Sequence, residues 1–170
     1  GLLHDIGELI LLSAIGDPYH RFLANSLENP KLQSEELQLF GTTHADVGGW
    51  LIDHWGLDSV LADGVAFHHT AATEIVTATA LPQIVWIAQA LSVTPDNSPE
   101  LGMVVNRSNP KLEMSALLVV RERAIQRARQ IAEALGITIA DDFPNRRTAA
   151  PVAASSLPEP ASAADDDLAT

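Results

Sequence analysis

The chain has 170 residues, 46% of them hydrophobic, and a net charge of −12, which suits one domain with a sizeable core and argues against nonspecific nucleic-acid binding, where Lys and Arg must displace counterions from phosphates. It has no cysteine, which excludes a disulfide framework, a thiolate nucleophile and Cys-ligated zinc and agrees with a cytoplasmic setting. No stretch approaches the ~18 uninterrupted apolar residues of a membrane helix, and no signal-peptide pattern opens the chain.

The elements predicted in chain order are all helical. Leu2 to Leu12 reads as a buried helix interrupted by His4, Asp5 and Glu8, stopping near Gly16. It opens without a methionine or a capping residue, so the chain is expected to be part of a longer domain whose first residues lie upstream of Gly1. Asp17 before Pro18 predicts an N-cap with proline at N1 and a second helix through Tyr19, Phe22, Leu23 and Leu27. A third helix is expected from Ser34 to about Phe40, with Glu35 and Glu36 in its first turn, where carboxylates suit the dipole. Thr43 with Asp46 forms a capping-box-like start to a helix through His54. His44, Val47, Gly48 and Leu51 share one face of it, and Gly48-Gly49 is expected to admit another helix closely. Asp58 to His69 should form a helix with Leu61, Val65 and His68 on a common face.

Ala78 to Leu91 predicts an apolar helix with Ile84, Ile87, Ala88 and Leu91 buried. Residues 93–113 are rich in Pro, Asn and Gly and read as a loop with one short helix. Ser115 to Leu135 is the clearest amphipathic pattern, with Ala124, Ile125, Ala128, Ile131, Ala132 and Leu135 inward and Gly136 as the stop. Beyond about Ile139 the composition turns to Ala, Pro, Ser and Asp, so 141–170 is expected to be a disordered tail or linker after a helical domain spanning 1–140.

The chemistry-bearing residues are the doublet His4-Asp5, then His44, then His68-His69. Imidazole and carboxylate are metal-ligand types, and a carboxylate buried in an apolar run needs a metal, a histidine or a backbone donor to compensate it. Before Arg107 the only strong cations are Arg21 and Lys31, so the segment holding all six histidines is anionic, and a phosphate there would need metal ions to bind it. His20 and His54 stand outside this constellation. Trp50, Trp55 and Trp86 sit at helical spacing among apolar neighbours and are expected in the core. Arg121, Arg123, Arg127 and Arg129 with Glu122 and Glu133 read as a solvated helix face.

Gly1-Leu-Leu-His-Asp-Ile-Gly7, Glu36 to Phe40 ahead of His44-Ala-Asp-Val-Gly48, Trp55-Gly56-Leu57 and Ala66-Phe-His-His69 together resemble the HDOD (HD-related output domain) branch of the HD superfamily, over roughly residues 1–92. The resemblance implies an all-α, HD-superfamily-like helical bundle, here a partial domain, used as an output or interaction module in bacterial signalling proteins. In related phosphohydrolases the positions matching His4, Asp5, His44, His68 and His69 hold Fe, Mn or Zn ions that activate water for attack on a phosphoester.

The chain departs from those enzymes in four places. Their first histidine would lie upstream of Gly1. Glu8 stands where they carry lysine. The Asp-Gly-x-Gly-Tyr-Pro stretch expected after the histidine pair is replaced by Thr70-Ala-Ala-Thr-Glu74, and Gln89 occupies the place of a late ligand aspartate. The expectation is therefore a non-catalytic domain with a vestigial metal site and no catalytic residue, partnered by another signalling protein or by a fused sensory or receiver domain. The alternatives are a metal-dependent phosphohydrolase acting on a nucleotide or cyclic dinucleotide, and a small-molecule sensor using the same pocket without turnover.

Overall fold

The computed structural model describes residues 3–26, 32–94 and 97–138. Among them are nine helices and no strand, as the periodicities predict; the expected tail at 141–170 and the expected burial of Leu27 fall outside the described residues.

Helix α1 (Ile6–Ile15) closes on Gly16, which takes a positive φ of 73° and donates its N–H to the Leu12 carbonyl. Helix α2 (Asp17–Ser26) follows directly and brings Tyr19 and Phe22 against Leu11. Helix α3 (Leu32–Phe40) adds Phe40 to this small aromatic core, its ring edge-on to both Tyr19 and Phe22. Helix α4 (His44–His54) starts as the Thr43/Asp46 pattern predicts: the Thr43 hydroxyl accepts from the Asp46 N–H and donates to the Asp46 carboxylate at 2.8 Å. Helix α5 (Ser59–Ala66) is capped by Asp58, whose side chain accepts from the Val60 N–H.

These first helices pack backbone to backbone. A Cβ on Gly7 would stand 1.8 Å from the His44 carbonyl oxygen, so α1 touches the start of α4 only because that residue has no side chain. Gly48 and Gly49 play the same part toward α5, where added methyls would meet Val65 and Ala66. The expected close packing at the Gly-Gly pair is thus what joins α4 to α5.

The second half carries its own core. The single turn α6 (Ala72–Ile75), helix α7 (Ala80–Val93) and helix α8 (Pro99–Arg107) bury Ile75, Trp86, Ile87, Ala90, Leu91, Leu101, Val104 and Val105 together. Gln83 is buried between them. Its amide donates to the Val76 and Ala78 carbonyls and its carbonyl accepts the Asn109 N–H. Helix α9 (Met114–Ala134) touches this core through Met114, Leu117 and Leu118.

Several expectations are corrected. His4 and Asp5 lie in a turn that precedes α1 rather than inside a helix. The helix expected to run to His69 ends at Ala66, and α6 was not foreseen. On α7 it is Val85 and Trp86 that go inward with Ile87 and Leu91, while Ile84 and Ala88 face out. The helix is apolar on nearly every side, so its periodicity does not choose a face; the neighbours α5 and α8 do. Leu61 of α5 is also exposed. On α9 only Ala132 is buried among the six residues expected inward, and Leu135 is 68% exposed, because the described helices pack against its first turns and not along its length. Trp86 is in the core as expected, but Trp50 is 62% and Trp55 53% exposed.

Candidate metal centre

Three segments converge where α1 meets α4 and α5. Asp5 comes from the turn at the head of α1, His44 is the first residue of α4, and His68 and His69 lie in the turn after α5. Placing His4 and Asp5 before the helix matters, because side chains of helical neighbours diverge by roughly 100°. Asp5 occupies the N-cap position of α1 yet makes no capping bond with its side chain. Its carboxylate is turned to the histidines instead.

The geometry at Asp5 Oδ1 is tight. His68 Nε2 lies 3.2 Å from it, His44 Nε2 4.0 Å from it, and the two Nε2 atoms are 3.4 Å apart. The point equidistant from these three atoms lies about 2.1 Å from each, the length of a bond from a divalent metal to imidazole nitrogen or carboxylate oxygen. His69 completes a group of four whose donor atoms all lie within 4.8 Å of one another. His44 and His68 are fully buried, whereas the Asp5 side chain is 41% exposed, so the histidines form the floor and Asp5 the rim.

Each floor histidine is held by its other nitrogen. His68 Nδ1 donates to the Val65 carbonyl oxygen at 2.5 Å. His44 Nδ1 donates to Glu36 Oε2 at 2.7 Å, and the same oxygen accepts the His44 backbone N–H at 3.0 Å. With both Nδ1 atoms committed as donors, the Nε2 lone pairs and the carboxylate oxygen face a common point. A metal ion or a proton satisfies that convergence.

Protonation follows from these contacts. Burial works to raise the Asp5 carboxyl, but the hydrogen bond from His68 and the neighbouring His4, His68 and His44 hold it below its ordinary value. Glu36 is likewise held low, against its burial, by the bonds from His44 and Tyr19, and Glu36 in turn lifts His44 above the usual imidazole value despite burial. His69 is pushed down to about 4 by burial and by the adjacent His68 and His44 rings, so at neutral pH it is an uncharged imidazole able to ligate.

The other expected ligand, His4, stands outside this group. Its Nε2 lies 3.0 Å from Asp5 Oδ2 and 3.2 Å from Gln89 Oε1. In this arrangement His4 Nε2 is engaged by the Asp5 carboxylate and the Gln89 amide. Gln89, on α7, thus sits beside the doublet as its correspondence to the late aspartate suggested, but as a hydrogen-bond acceptor. Glu8, one turn further along α1, is half-buried, and burial and the Asp5 charge raise its carboxyl. His20 and His54 lie on the surface, His54 stacked flat on Trp50 with ring centroids 5.0 Å apart.

Sequence reading missed the role of Glu36 and Tyr19. As an acid near the start of α3 Glu36 suits the helix dipole, yet it is fully buried, bonded to His44 and to the Tyr19 hydroxyl at 2.6 Å. The available signal was the acid eight residues before His44, within the stretch that carries the family resemblance.

An all-helical domain that gathers one aspartate and three histidines at the junction of its first helices belongs, by architecture and donor set, to the class of histidine/aspartate helical domains. The family model that matches is that of the HDOD domain, over residues 1–71. Residues 1–71 match this family model and contain all the converging histidines and Asp5; α6 to α9 lie beyond the match. No curated protein and no solved structure matches the chain.

Proposed function

We propose that the chain serves as an output module of a bacterial signalling protein, acting in the cytoplasm through protein contacts, and that one divalent transition metal held by Asp5, His44, His68 and His69 fixes the junction of α1, α4 and the turn after α5. The observation that carries the metal reading is the Oδ1/Nε2/Nε2 triangle, whose centre lies one metal–ligand bond length, about 2.1 Å, from each donor. Imidazole with carboxylate suits Fe, Mn or Zn. A contact role, with another signalling protein or a fused sensory or receiver domain, is supported by Trp50 and Trp55, which present large aromatic surface to solvent on and just after α4. Tryptophan is among the residue types enriched at interaction hot spots.

Glu8 and Gln89 argue against phosphate chemistry. The first adds negative charge beside the site and the second supplies a neutral amide where a carboxylate would help hold another ion. The donor set itself favours a second reading, a phosphohydrolase of nucleotides or cyclic dinucleotides, because a metal there would lower the pKa of a bound water.

Metal analysis of the chain after expression with Fe, Mn or Zn tests the first reading: one ion per chain is expected, and none would sink it. Turnover of a generic phosphodiester by the loaded protein, abolished in His68→Ala, would establish the second reading in place of the non-catalytic one.

A further inference from the structure

We propose that Glu36, held from behind by Tyr19, is the positioning residue that makes His44 an Nε2 metal ligand; this rests on the metal reading above. The arrangement is a three-part clamp. Glu36 Oε2 accepts both from the His44 backbone N–H and from its ring Nδ1–H, so one carboxylate oxygen fixes the start of α4 and the orientation of the ring together. Oε1 is held by the Tyr19 hydroxyl, which prevents the carboxylate from rotating. Glu36, His44 and Tyr19 are all fully buried, and a buried carboxylate that serves only packing would be a costly choice where an apolar side chain fits.

The contrast with His68 shows what Glu36 adds. His68 Nδ1 is tied to a neutral backbone carbonyl, that of Val65, whereas His44 Nδ1 is tied to an anion. Both contacts commit Nδ1 as donor and leave Nε2 free to ligate. Only the carboxylate also pushes electron density into the ring, strengthening it as a ligand, and such partners of ligating histidines affect metal affinity by roughly 10–100-fold. Tyr19 and Glu36 come from α2 and α3, so these two helices, which supply no ligand, are coupled to the site through this chain of bonds.

The test is zinc affinity, measured by competition with a chromophoric chelator, for the wild type and Glu36→Gln, each with His44 present and with His44→Ala. Glutamine can keep the bonds to His44 but loses the charge. Expected is a loss of about tenfold or more for Glu36→Gln in the wild-type background and no further loss once His44 is absent, since the effect travels through that ring. A loss of equal size in both backgrounds, the mark of a merely structural role, would overturn the proposal, as would wild-type affinity in Glu36→Gln. A wild type that binds no zinc fails earlier and takes the metal reading with it. Should Glu36→Gln not fold, Tyr19→Phe loosens the carboxylate while leaving it in place. The His44 Nδ1–H resonance of the zinc-loaded protein is then expected to shift and affinity to fall; both unchanged would refute the clamp.

Discussion

Asp5 faces two environments, and they differ in completeness. On its Oδ1 side stand His44, His68 and His69, the first two each fixed through Nδ1 by a buried acceptor. On its Oδ2 side stand His4 and Gln89, joined by a hydrogen bond that turns the imidazole N–H toward the amide and the carboxylate. Both sides present histidine to a carboxylate, yet one is arranged for a cation and the other as an internal hydrogen-bond network. What separates them is not the count of ligand-type residues but the second contact each histidine makes.

The strongest way to break both sides together is Gly7→Ala. The new methyl would overlap the His44 carbonyl, and that neighbour is backbone at the start of a helix, so α1 and α4 must part. The expected cost is about 3 kcal/mol or more in chemical denaturation, the range of severe overpacking, with metal binding lost as well. Near-wild-type stability would mean that the α1–α4 contact is looser than described.

The two sides separate under His68→Ala and His4→Ala. Removing His68 deletes one corner of the donor triangle and should weaken metal binding by about a hundredfold or more, about 2.8 kcal/mol. Removing His4 takes away a hydrogen bond to Asp5 and should cost about tenfold or less. Isothermal titration with Zn²⁺ or Mn²⁺ measures both, and equal losses would erase the distinction. Gln89→Asp is the milder converse. It should lower metal-free stability by about 1 kcal/mol by adding a second carboxylate at the His4–Asp5 pair, and the melting temperature should recover on adding Mn²⁺ as the Oδ2 side gains a ligand. A variant no more responsive to metal than the wild type would show that the amide is not what limits that side.

How much of this was legible in the sequence depends on which interactions are local. The α4 start was readable because a capping box is contained within four residues, and it delivered His44 in the right direction. The convergence of Asp5 with His44 and His68-His69 was legible only through the family resemblance, since no periodicity carries contacts across 24 or more positions. That Asp5 precedes its helix was not readable: a His-Asp pair in an apolar run has helical periodicity whether or not its carboxylate is drawn to a distant imidazole. Glu36 was hidden for a related reason, because an acid in a first turn already has an adequate local explanation in the dipole. Trp50, Trp55 and the outer stretch of α9 failed in the opposite sense. Their patterns match core residues, but burial needs a neighbouring element, and the described helices place none over them.

The finest probe of the Oδ1 side is pH. His69 is depressed to about 4 by burial and by the His68 and His44 rings, against about 6.5 in an unfolded chain. Between those values the unfolded state binds a proton that the folded state refuses, so this group makes the metal-free protein lose stability as pH falls from about 6.5 toward 4, by up to about 1.4 kcal/mol per pH unit. The raised His44 acts with opposite sign, contributing stability that is present below about 6.5 and lost as pH climbs through its folded value, while the depressed Asp5 and Glu36 lose theirs only at the acid end. The net curve mixes these terms, but a comparison isolates one of them. His69→Gln removes the refusing imidazole, so its denaturation free energy should vary less steeply than the wild type's between pH 6.5 and 4. Metal should accentuate the difference, since ligation requires the neutral ring and competes with its proton. Parallel curves for the two proteins would place His69 in contact with solvent rather than against the ring pair, and would reduce the cation-ready side of Asp5 from three histidines to two.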